Sequence, residues 1–331
     1  MRCTFRPRLV NDLFGDPCVF VDIFGHKRAV LFDLGDITAL SAREILRLSD
    51  VCISHTHIDH FYGFDRLLRV CLGREKRLRL YGPPGTIERV SHKLMGYTWN
   101  LIERFPNQLV FEVHELDESD RVSRVELSSQ VRFARSPRSE TTTNQGLLFR
   151  DSVLELRACV VEHHIPVLAY SLRERAHIGV NKSKLSGLGL DTGAWLSRVK
   201  RALQQDREQA RQLLEALYPE LAPEAVLRCF IEERGEHLGY VVDTAYHPRC
   251  RDRLAAILSE ANHLFLEARF LEEDRDRAAE RAHLSTTQCA ELARELRAKR
   301  LTPIHFSTRN EGQSARFIEE VMRSFLAPEP N

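Results

Sequence analysis

A dense cluster of histidines follows a short apolar run at Val51–Ser54, and it constrains the chain more than any other feature. Four potential metal ligands fall within six consecutive positions: His55, His57, Asp59 and His60. Only 14 histidines occur in the 331 residues, so chance does not account for this density. In extended backbone, residues two apart point to the same side, so His55 and His57 can bind one ion together. Asp59 and His60 can bind a second ion if the chain then turns into a helix.

Imidazole and carboxylate ligands together favour zinc, with manganese as the second choice. A polar loop entering a helix is the alternative, and the strict spacing disfavours it. Isolated residues elsewhere could complete the ligand set. Asp243 and His305 each end an apolar, strand-like run, and His163 and His164 both stand at a turn between two strands. Such residues are more often structural, and the pattern alone does not choose between His163 and His164.

Composition disfavours several classes of protein. The 48 basic residues balance 47 acidic ones, which argues against coating nucleic acid or membranes by bulk charge. The eight cysteines are scattered, which indicates buried thiols in a reducing compartment rather than a disulfide framework. The N-terminus lacks the pattern of a signal peptide, and no apolar run is long enough to span a bilayer. We therefore expect a cytoplasmic protein without membrane contact.

Strand-like and helix-like segments alternate along the chain, as in an α/β fold. Apolar, β-branched runs predict strands at Val19–Ile23, Ala29–Asp33, Val51–Ser54, Leu78–Tyr81, Val153–Glu162, Val167–Leu172, Arg228–Glu232, Leu238–Asp243, His263–Glu267 and Leu301–His305. Helical spacing predicts helices at Ser41–Leu48, Phe61–Leu72, Leu196–Tyr218, Arg249–Glu260, Thr286–Lys299 and Glu311–Phe325. The polar stretch Ala134–Gly146 predicts an exposed loop. Residues 177–227 break the alternation and predict an inserted helical segment within a single domain spanning 1–331.

The H-x-H-x-D-H spacing of residues 55–60 resembles the metal-binding signature of the metallo-β-lactamase fold. Other segments resemble the ribonuclease Z branch of that fold, endonucleases that trim the 3′ trailer of precursor tRNA: Glu162–Tyr170, Leu185–Leu196, Glu267–Phe270, His283–Thr286 and His305–Arg309. The resemblance covers about residues 28–60 and 155–310. It implies an αββα four-layer sandwich, with two mixed sheets inside, helices outside and the metals at one edge.

The resemblance also implies a set of ligands for two zinc ions. One ion would be bound by His55, His57 and His163, and the other by Asp59, His60 and His305. Asp243 would bridge the two ions. His163 is preferred to His164 because the family places an acidic residue directly before this ligand, and Glu162 stands there in this chain.

Three residues carry the implied chemistry beyond metal binding. Asp59 is both a ligand and the partner for the nucleophile's proton. Glu267 and His283 would orient a ligand imidazole or donate a proton to the leaving oxygen. In the family, a histidine thought to assist proton transfer precedes the matching glutamate. Leu266 stands in that position here, so the role of proton donor falls to His283.

Ser307 and Arg309 would hold a substrate phosphate beside the metals, the arginine through a bidentate fork. The alternative to phosphate binding is that Ser307 only begins a helix and Arg309 only lies on the surface. We therefore expect a dizinc hydrolase of phosphodiester bonds, with precursor tRNA as its leading substrate and a homodimer as its assembly. One alternative is hydrolysis of cyclic nucleotides, small phosphodiesters or esters. A second alternative, prompted by Leu266, is a metal-stabilised binding module with little turnover.

Overall fold

Two β-sheets packed face to face form the centre of the protein, with helices against both outer faces. The computed structural model describes residues 4–175, 177–233 and 235–327. The sandwich forms one compact unit, which runs up to Arg173 and resumes at Glu236. The segment Glu174–Gly235 forms a second compact unit.

Within the described residues, the first sheet has eight strands that lie side by side in chain order. They are β1 (Phe5–Leu9), β2 (Val19–Ile23), β3 (Arg28–Phe32), β4 (Leu48–Cys52), β5 (Lys76–Gly82), β6 (Leu109–Leu116), β7 (Arg121–Ser128) and β8 (Ser139–Thr142). Strands β3 to β6 run parallel, and antiparallel strands flank them on both sides. The loops that leave the parallel strands therefore meet at one edge of the sheet.

The remaining described strands follow in the second half of the chain. They are β9 (Leu147–Arg150), β10 (Leu154–Glu162), β11 (Pro166–Glu174), β12 (His177–Val180), β13 (Phe230–Glu233), β14 (His237–Val241), β15 (His263–Glu267) and β16 (Leu301–Ile304). The second sheet has the order β16-β15-β14-β11-β10-β9, and β12 pairs only with β13. Strands β14, β15 and β16 are parallel, so their carboxyl ends also share one edge.

The helices complete the outer layers and the second unit. They are α1 (Ala42–Arg47), α2 (Ile58–Phe61), α3 (Phe64–Cys71), α4 (Thr86–Met95), α5 (Lys182–Gly187), α6 (Ala194–Gln205), α7 (Arg207–Leu217), α8 (Pro223–Leu227), α9 (Pro248–Leu258), α10 (Arg275–Glu280), α11 (Thr286–Glu295) and α12 (Ser314–Phe325). No helix in the described ranges is long and apolar enough to cross a membrane.

Side chains that alternate along the strands build three apolar layers. On β3, Leu31 joins a cluster with Leu67 of α3, whereas Phe32 joins the cluster between the two sheets. On the outer face of the second sheet, Leu254 of α9 and Phe317 of α12 belong to a third cluster. This layering confirms the predicted αββα sandwich.

The second unit has an apolar core of its own, in which Val199 of α6 and Leu214 of α7 are buried. The prediction of a single helix at Leu196–Tyr218 is wrong, because Asp206 has extended backbone and separates two helices, α6 and α7. The Asp206 side chain accepts a hydrogen bond from the backbone N–H of Glu208 and so begins α7. We propose that the chain is a single metallo-β-lactamase-like domain with an inserted helical segment at about 177–227.

Most predicted strands and outer helices are confirmed to within a few residues. Strands β2 and β3 form a hairpin around Gly25, which has a positive φ. Helix α1 begins with a capping box formed by Ser41 and Glu44. The helix predicted at Phe61–Leu72 is confirmed as α3, which begins at Phe64, after the separate helical turn α2. The prediction of a loop at Ala134–Gly146 is wrong in part, because this stretch contains the exposed edge strand β8.

Candidate metal centre

The loop after β4 carries the four-ligand motif at the edge of the first sheet. His57 immediately precedes α2, and Asp59 and His60 lie within that single helical turn. The Nε2 atom of His55 lies 2.8 Å from the Nδ1 atom of His57. The two imidazoles therefore converge, as the two-residue spacing predicts.

Three residues of the second sheet face this motif. His163 follows β10, Asp243 lies two residues after β14, and His305 directly follows β16. Asp243 and His305 both have left-handed backbone, with φ of 52° and 61°. Aspartate and histidine adopt this region more readily than most residues, and strained backbone of this kind concentrates at functional sites.

The carboxylate of Asp243 lies among four of the predicted imidazole ligands. Its Oδ2 atom is 3.4 Å from Nε2 of His55 and 3.5 Å from Nε2 of His60. The same oxygen is 3.7 Å from Nε2 of His163, and Oδ1 is 2.8 Å from Nδ1 of His305. Asp243 thus lies close to ligands carried by both sheets.

A second group of ligand atoms forms around Asp59. Its Oδ2 atom lies 3.5 Å from Nε2 of His60 and 3.5 Å from Nε2 of His305. The ligand atoms of these three residues all lie within 4.8 Å of one another, as do those of His55, His57 and Asp243.

Several of these buried ligand atoms lie close to one another but make no hydrogen bond of good geometry within the described chain: Nε2 of His60, Oδ1 of Asp243 and both ring nitrogens of His305. Buried polar atoms are nearly always partnered, because leaving one unpaired is costly. Unpaired imidazole and carboxylate atoms that converge in this way are the ligands that zinc prefers. The residues present therefore fit bound metal ions.

Electrostatics keep much of the cluster ready for cations. Burial, assisted by the neighbouring His60, lowers the pKa of His55 to about 2, and burial also lowers the pKa of His163. Burial alone would raise the pKa of Asp59, but the neighbouring imidazoles of His305 and His60 outweigh it and hold that pKa below its usual range. Neutral imidazoles and ionised carboxylates are the forms that bind metals.

The structure distinguishes His163 from its neighbour. Nδ1 of His163 lies 3.0 Å from the carbonyl oxygen of Ala282, which leaves Nε2 facing Asp243. His164 is exposed, and its Nε2 lies 3.1 Å from the carbonyl oxygen of Glu280. Only His163 of the two lies in the cluster, as the resemblance implied.

Glu267 and His283 lie together beside the ligands. Nδ1 of His283 is 2.8 Å from Oε2 of the fully buried Glu267, while Oε1 accepts hydrogen bonds from the N–H groups of Thr244 and Leu284. The His283 ring centroid is 4.4 Å from that of His163. His283 also falls within ligand range of Asp243 and His163, so its place suits either a proton donor or a further ligand.

Leu266 does not face this site. It is fully buried in the cluster on the outer face of the second sheet, together with Leu284 and Cys289. On the same strand, Phe265 belongs to the cluster between the sheets, and Glu267 reaches the metal centre. A histidine at position 266 would therefore point away from the ligands, so the expectation that Leu266 occupies a proton-donor position is wrong.

Asp33 and Ser54 support the ligand imidazoles from behind. Oδ2 of Asp33 lies 2.8 Å from Nδ1 of His60, and Oγ of Ser54 lies 3.1 Å from Nδ1 of His55. Outer partners of this kind fix the orientation and tautomer of ligand histidines. The sequence indicated Asp33 at the end of its strand, but nothing assigned a role to Ser54.

The two residues predicted to bind phosphate follow the ligand His305 closely in the chain. Ser307 is buried, and its N–H donates to the carbonyl oxygen of Arg269, while Arg309 is exposed. Arg269 is a better placed cation. It is half-buried, it pairs with no carboxylate of the described chain, and it lies close enough to His283 to lower that residue's pKa. The sequence analysis assigned no role to Arg269, although this residue follows Glu267 by only two positions.

Comparison with known proteins places the chain in a family. A model described as a β-lactamase superfamily domain matches residues 212–306. The ribonuclease Z of Deinococcus radiodurans is 32% identical over 286 residues, covering 85% of this chain and 82% of the relative. The chain belongs to the ribonuclease Z family.

Other relatives agree with this assignment. The human zinc phosphodiesterase ELAC protein 1 is 28% identical, covering 84% of this chain and 78% of the relative. The crystal structure of human tRNase Z, short form, covers 93% of both chains with a TM-score of 0.51 and 20% identity, which supports the fold. Membership of the ribonuclease Z family confirms two predictions, the metallo-β-lactamase fold and an enzyme of the hydrolase class.

Proposed function

We propose that the protein is a two-zinc hydrolase that cleaves phosphodiester bonds in RNA, with the 3′ trailer of precursor tRNA as its leading substrate. The observation that carries the proposal is the place of Asp243. Its Oδ2 lies 3.4 Å from Nε2 of His55 on the first sheet, and its Oδ1 lies 2.8 Å from Nδ1 of His305 on the second. The activities for which the relatives are named, ribonuclease Z and zinc phosphodiesterase, support the substrate class.

The two groups of ligands suit two ions that share one carboxylate. His55, His57 and His163 would hold one ion, and Asp59, His60 and His305 the other, with Asp243 reaching both. Zinc bound there would supply a Lewis acid for the phosphate and a hydroxide nucleophile near neutral pH. Manganese is the second choice of metal.

The chain's own groups would then move the protons. Asp59 stays ionised, because His305 and His60 hold its pKa below the usual range, so it can accept the proton of the attacking water. His283 is the proton donor to the leaving oxygen, and Glu267 orients it through Nδ1. An acid and a base held in separate environments are what general acid–base catalysis requires.

Phosphate binding is assigned to Ser307 and Arg309, and we add Arg269. Arginine suits phosphate because its planar fork can donate two parallel hydrogen bonds. Arg269 is half-buried without a carboxylate partner in the described chain, and a guanidinium in such surroundings favours an anionic ligand.

The test is cleavage of a precursor tRNA carrying a 3′ trailer by the zinc-loaded protein, with Asp59→Ala as the control. We expect a single cut after the discriminator nucleotide, absent in the variant, and two zinc ions per chain by elemental analysis. Hydrolysis of cyclic nucleotides or small phosphodiesters without a tRNA cut would favour the alternative substrate class. Bound metal without any turnover would favour a binding module.

Assembly and location stay predictions. A homodimer is expected from the family resemblance, and light scattering of the purified protein would test it. A cytoplasmic location is expected from the scattered cysteines and is tested by fractionating cells that express the full chain.

A further inference from the structure

A buried carboxylate connects ligands assigned to the two ions. Asp33 directly follows β3 and has left-handed backbone, with φ of 58°. Its Oδ2 lies 2.8 Å from Nδ1 of His60 and 2.8 Å from Oγ of Ser54. That same Oγ lies 3.1 Å from Nδ1 of His55. Asp33 thus contacts one ligand directly and another through a single hydroxyl group.

The opposite sheet supplies a further donor to this carboxylate. The hydroxyl of Tyr240, near the carboxyl end of β14, donates to Oδ2 of Asp33 at 2.7 Å, and both side chains are fully buried. The Ser54 N–H donates to Oδ1 at 2.6 Å, so both oxygens of the carboxylate accept hydrogen bonds. Burial and the adjacent Asp33 raise the pKa of Tyr240 well above its usual value, so the phenol stays a donor.

We propose that Tyr240 is a positioning residue for the metal centre, which fixes the Asp33 carboxylate and through it the His60 imidazole. The inference rests on the metal site of the proposed function but needs no particular substrate. Ligand histidines are normally held by a carboxylate or carbonyl on the nitrogen that does not bind metal, and losing such a partner costs about 10- to 100-fold in metal affinity. Tyr240 acts one hydrogen bond further out, so its loss is expected near the lower end of that range.

The proton arrangement explains why the contact matters. A neutral imidazole has one N–H group and one free lone pair. With Nδ1 donating to Asp33, the lone pair of His60 lies on Nε2, the atom that faces Asp243 and Asp59. Removing the Tyr240 hydroxyl would leave Oδ2 of Asp33 without one of its three donors. The carboxylate could then rotate, and the orientation of His60 would no longer be fixed.

The chain offers a matched control in Tyr170. This tyrosine lies on the neighbouring strand β11 and is also fully buried, and both rings lie near Phe32, at 5.9 Å for Tyr170 and 5.2 Å for Tyr240. Its hydroxyl also crosses to the first sheet, but it donates to the carbonyl oxygens of Ile53 and Tyr81. Tyr170→Phe and Tyr240→Phe therefore remove the same atom from similar surroundings, and only one of them touches Asp33.

The experiment compares zinc affinity in the two variants by competition with a chromophoric chelator, and the visible spectrum after loading with Co²⁺. We expect Tyr240→Phe to weaken one of the two binding steps about tenfold and to change the cobalt spectrum. Tyr170→Phe should leave the affinity within about twofold of the original. Thermal unfolding of both metal-free variants separates this effect from a general loss of stability.

Equal affinities in the two variants would overturn the proposal, because a purely structural tyrosine predicts similar effects from both. If Tyr240→Phe does not fold, Ser54→Ala removes another donor to the same oxygen, and unchanged zinc binding there would also overturn it. Absence of zinc binding by the unaltered protein would overturn both this inference and the proposed metal centre. Zinc binding without RNA cleavage would count against the proposed substrate alone.

Discussion

Glu267 and His283 form a buried pair at the metal centre, with Oε2 of the carboxylate 2.8 Å from Nδ1 of the imidazole. Burial alone would lower the pKa of His283, but Glu267 outweighs it and the net shift is upward. His283 therefore holds its proton to a higher pH than an ordinary histidine does. The pair therefore has the properties of a general acid and the group that orients it.

His283→Gln is expected to lower kcat about 10²- to 10⁴-fold, the usual contribution of a positioned acid. Activity of the unaltered protein should fall as pH rises through the raised pKa of His283, and this alkaline limb should be missing in the variant. The measurement is the pH profile of kcat, alongside zinc content. A variant that has lost one zinc ion would instead make His283 a metal ligand and would contradict the role of proton donor.

Asp59→Asn should reduce turnover on the order of a thousandfold, because the amide can neither accept the nucleophile's proton nor replace the charge between His60 and His305. Asp16→Asn is a suitable control. Asp16 is a partly buried carboxylate whose pKa is raised by burial and by nearby Asp59, and we assign it no catalytic role. Steady-state kinetics on the same RNA would show comparable losses in both variants if only the total negative charge mattered.

Leu266→His should destabilise the fold without increasing ribonuclease activity. The new imidazole would lie in the apolar cluster with Leu284 and Cys289, where an unpaired polar group costs about 1 to 3 kcal/mol. Leu266→Met, which nearly conserves volume, should cost less than about 1.5 kcal/mol. Urea unfolding of both variants gives the comparison. A large gain in RNA cleavage by Leu266→His would show that position 266 reaches the site after all.

Arg269→Ala is expected to raise KM for RNA severalfold and to make KM less dependent on salt concentration. With one phosphate contact fewer, RNA binding releases fewer counterions. Arg309→Ala gives the direct comparison, since the sequence favoured Arg309 and the structure leaves it exposed. Kinetics at several salt concentrations would rank the two residues. Unchanged KM and salt slope in Arg269→Ala would remove that residue from the substrate site.

The sequence predicted the parts of the site that depend on local spacing, and the predictions that failed depend on contacts between distant segments. The convergence of His55 and His57 follows from two residues of extended chain. By contrast, Leu266 was misplaced because its orientation depends on which face of β15 meets the helices. The break before α3 arises at Gly63, where a Cβ would lie 2.4 Å from the carbonyl oxygen of Gly35, and that close approach involves two distant segments.

The same limit applies to Tyr240, which was visible in its strand but not as the partner of Asp33. The two residues are separated by 207 positions and lie on different sheets. No periodicity in either segment indicates that pairing. A reader of the sequence could identify the ends of the strands as the place of the metals, because carboxylates and histidines followed apolar runs there.

His237 should make the stability of the protein depend on pH in the weakly acidic range. This residue is buried on β14 beside Oγ of Ser171, and burial, with help from Arg173, lowers its pKa to about 3. Because the unfolded chain binds a proton near pH 6.5 and the folded chain does not, the stabilisation is complete above pH 6.5. It is lost progressively as pH falls toward 3. From pH 7 to pH 5 we expect a loss of about 1 to 2 kcal/mol from this group.

His237→Gln isolates this contribution, since glutamine can still hydrogen-bond to Ser171 but does not titrate. The free energy of unfolding, measured with urea on metal-free protein at pH 7 and pH 5, should fall less in this variant than in the unaltered chain. His92→Gln, at an exposed position on α4, is the control for the exchange of histidine for glutamine itself. Identical pH dependence in His237→Gln and the unaltered protein would mean that His237 is protonated equally in the folded and unfolded states.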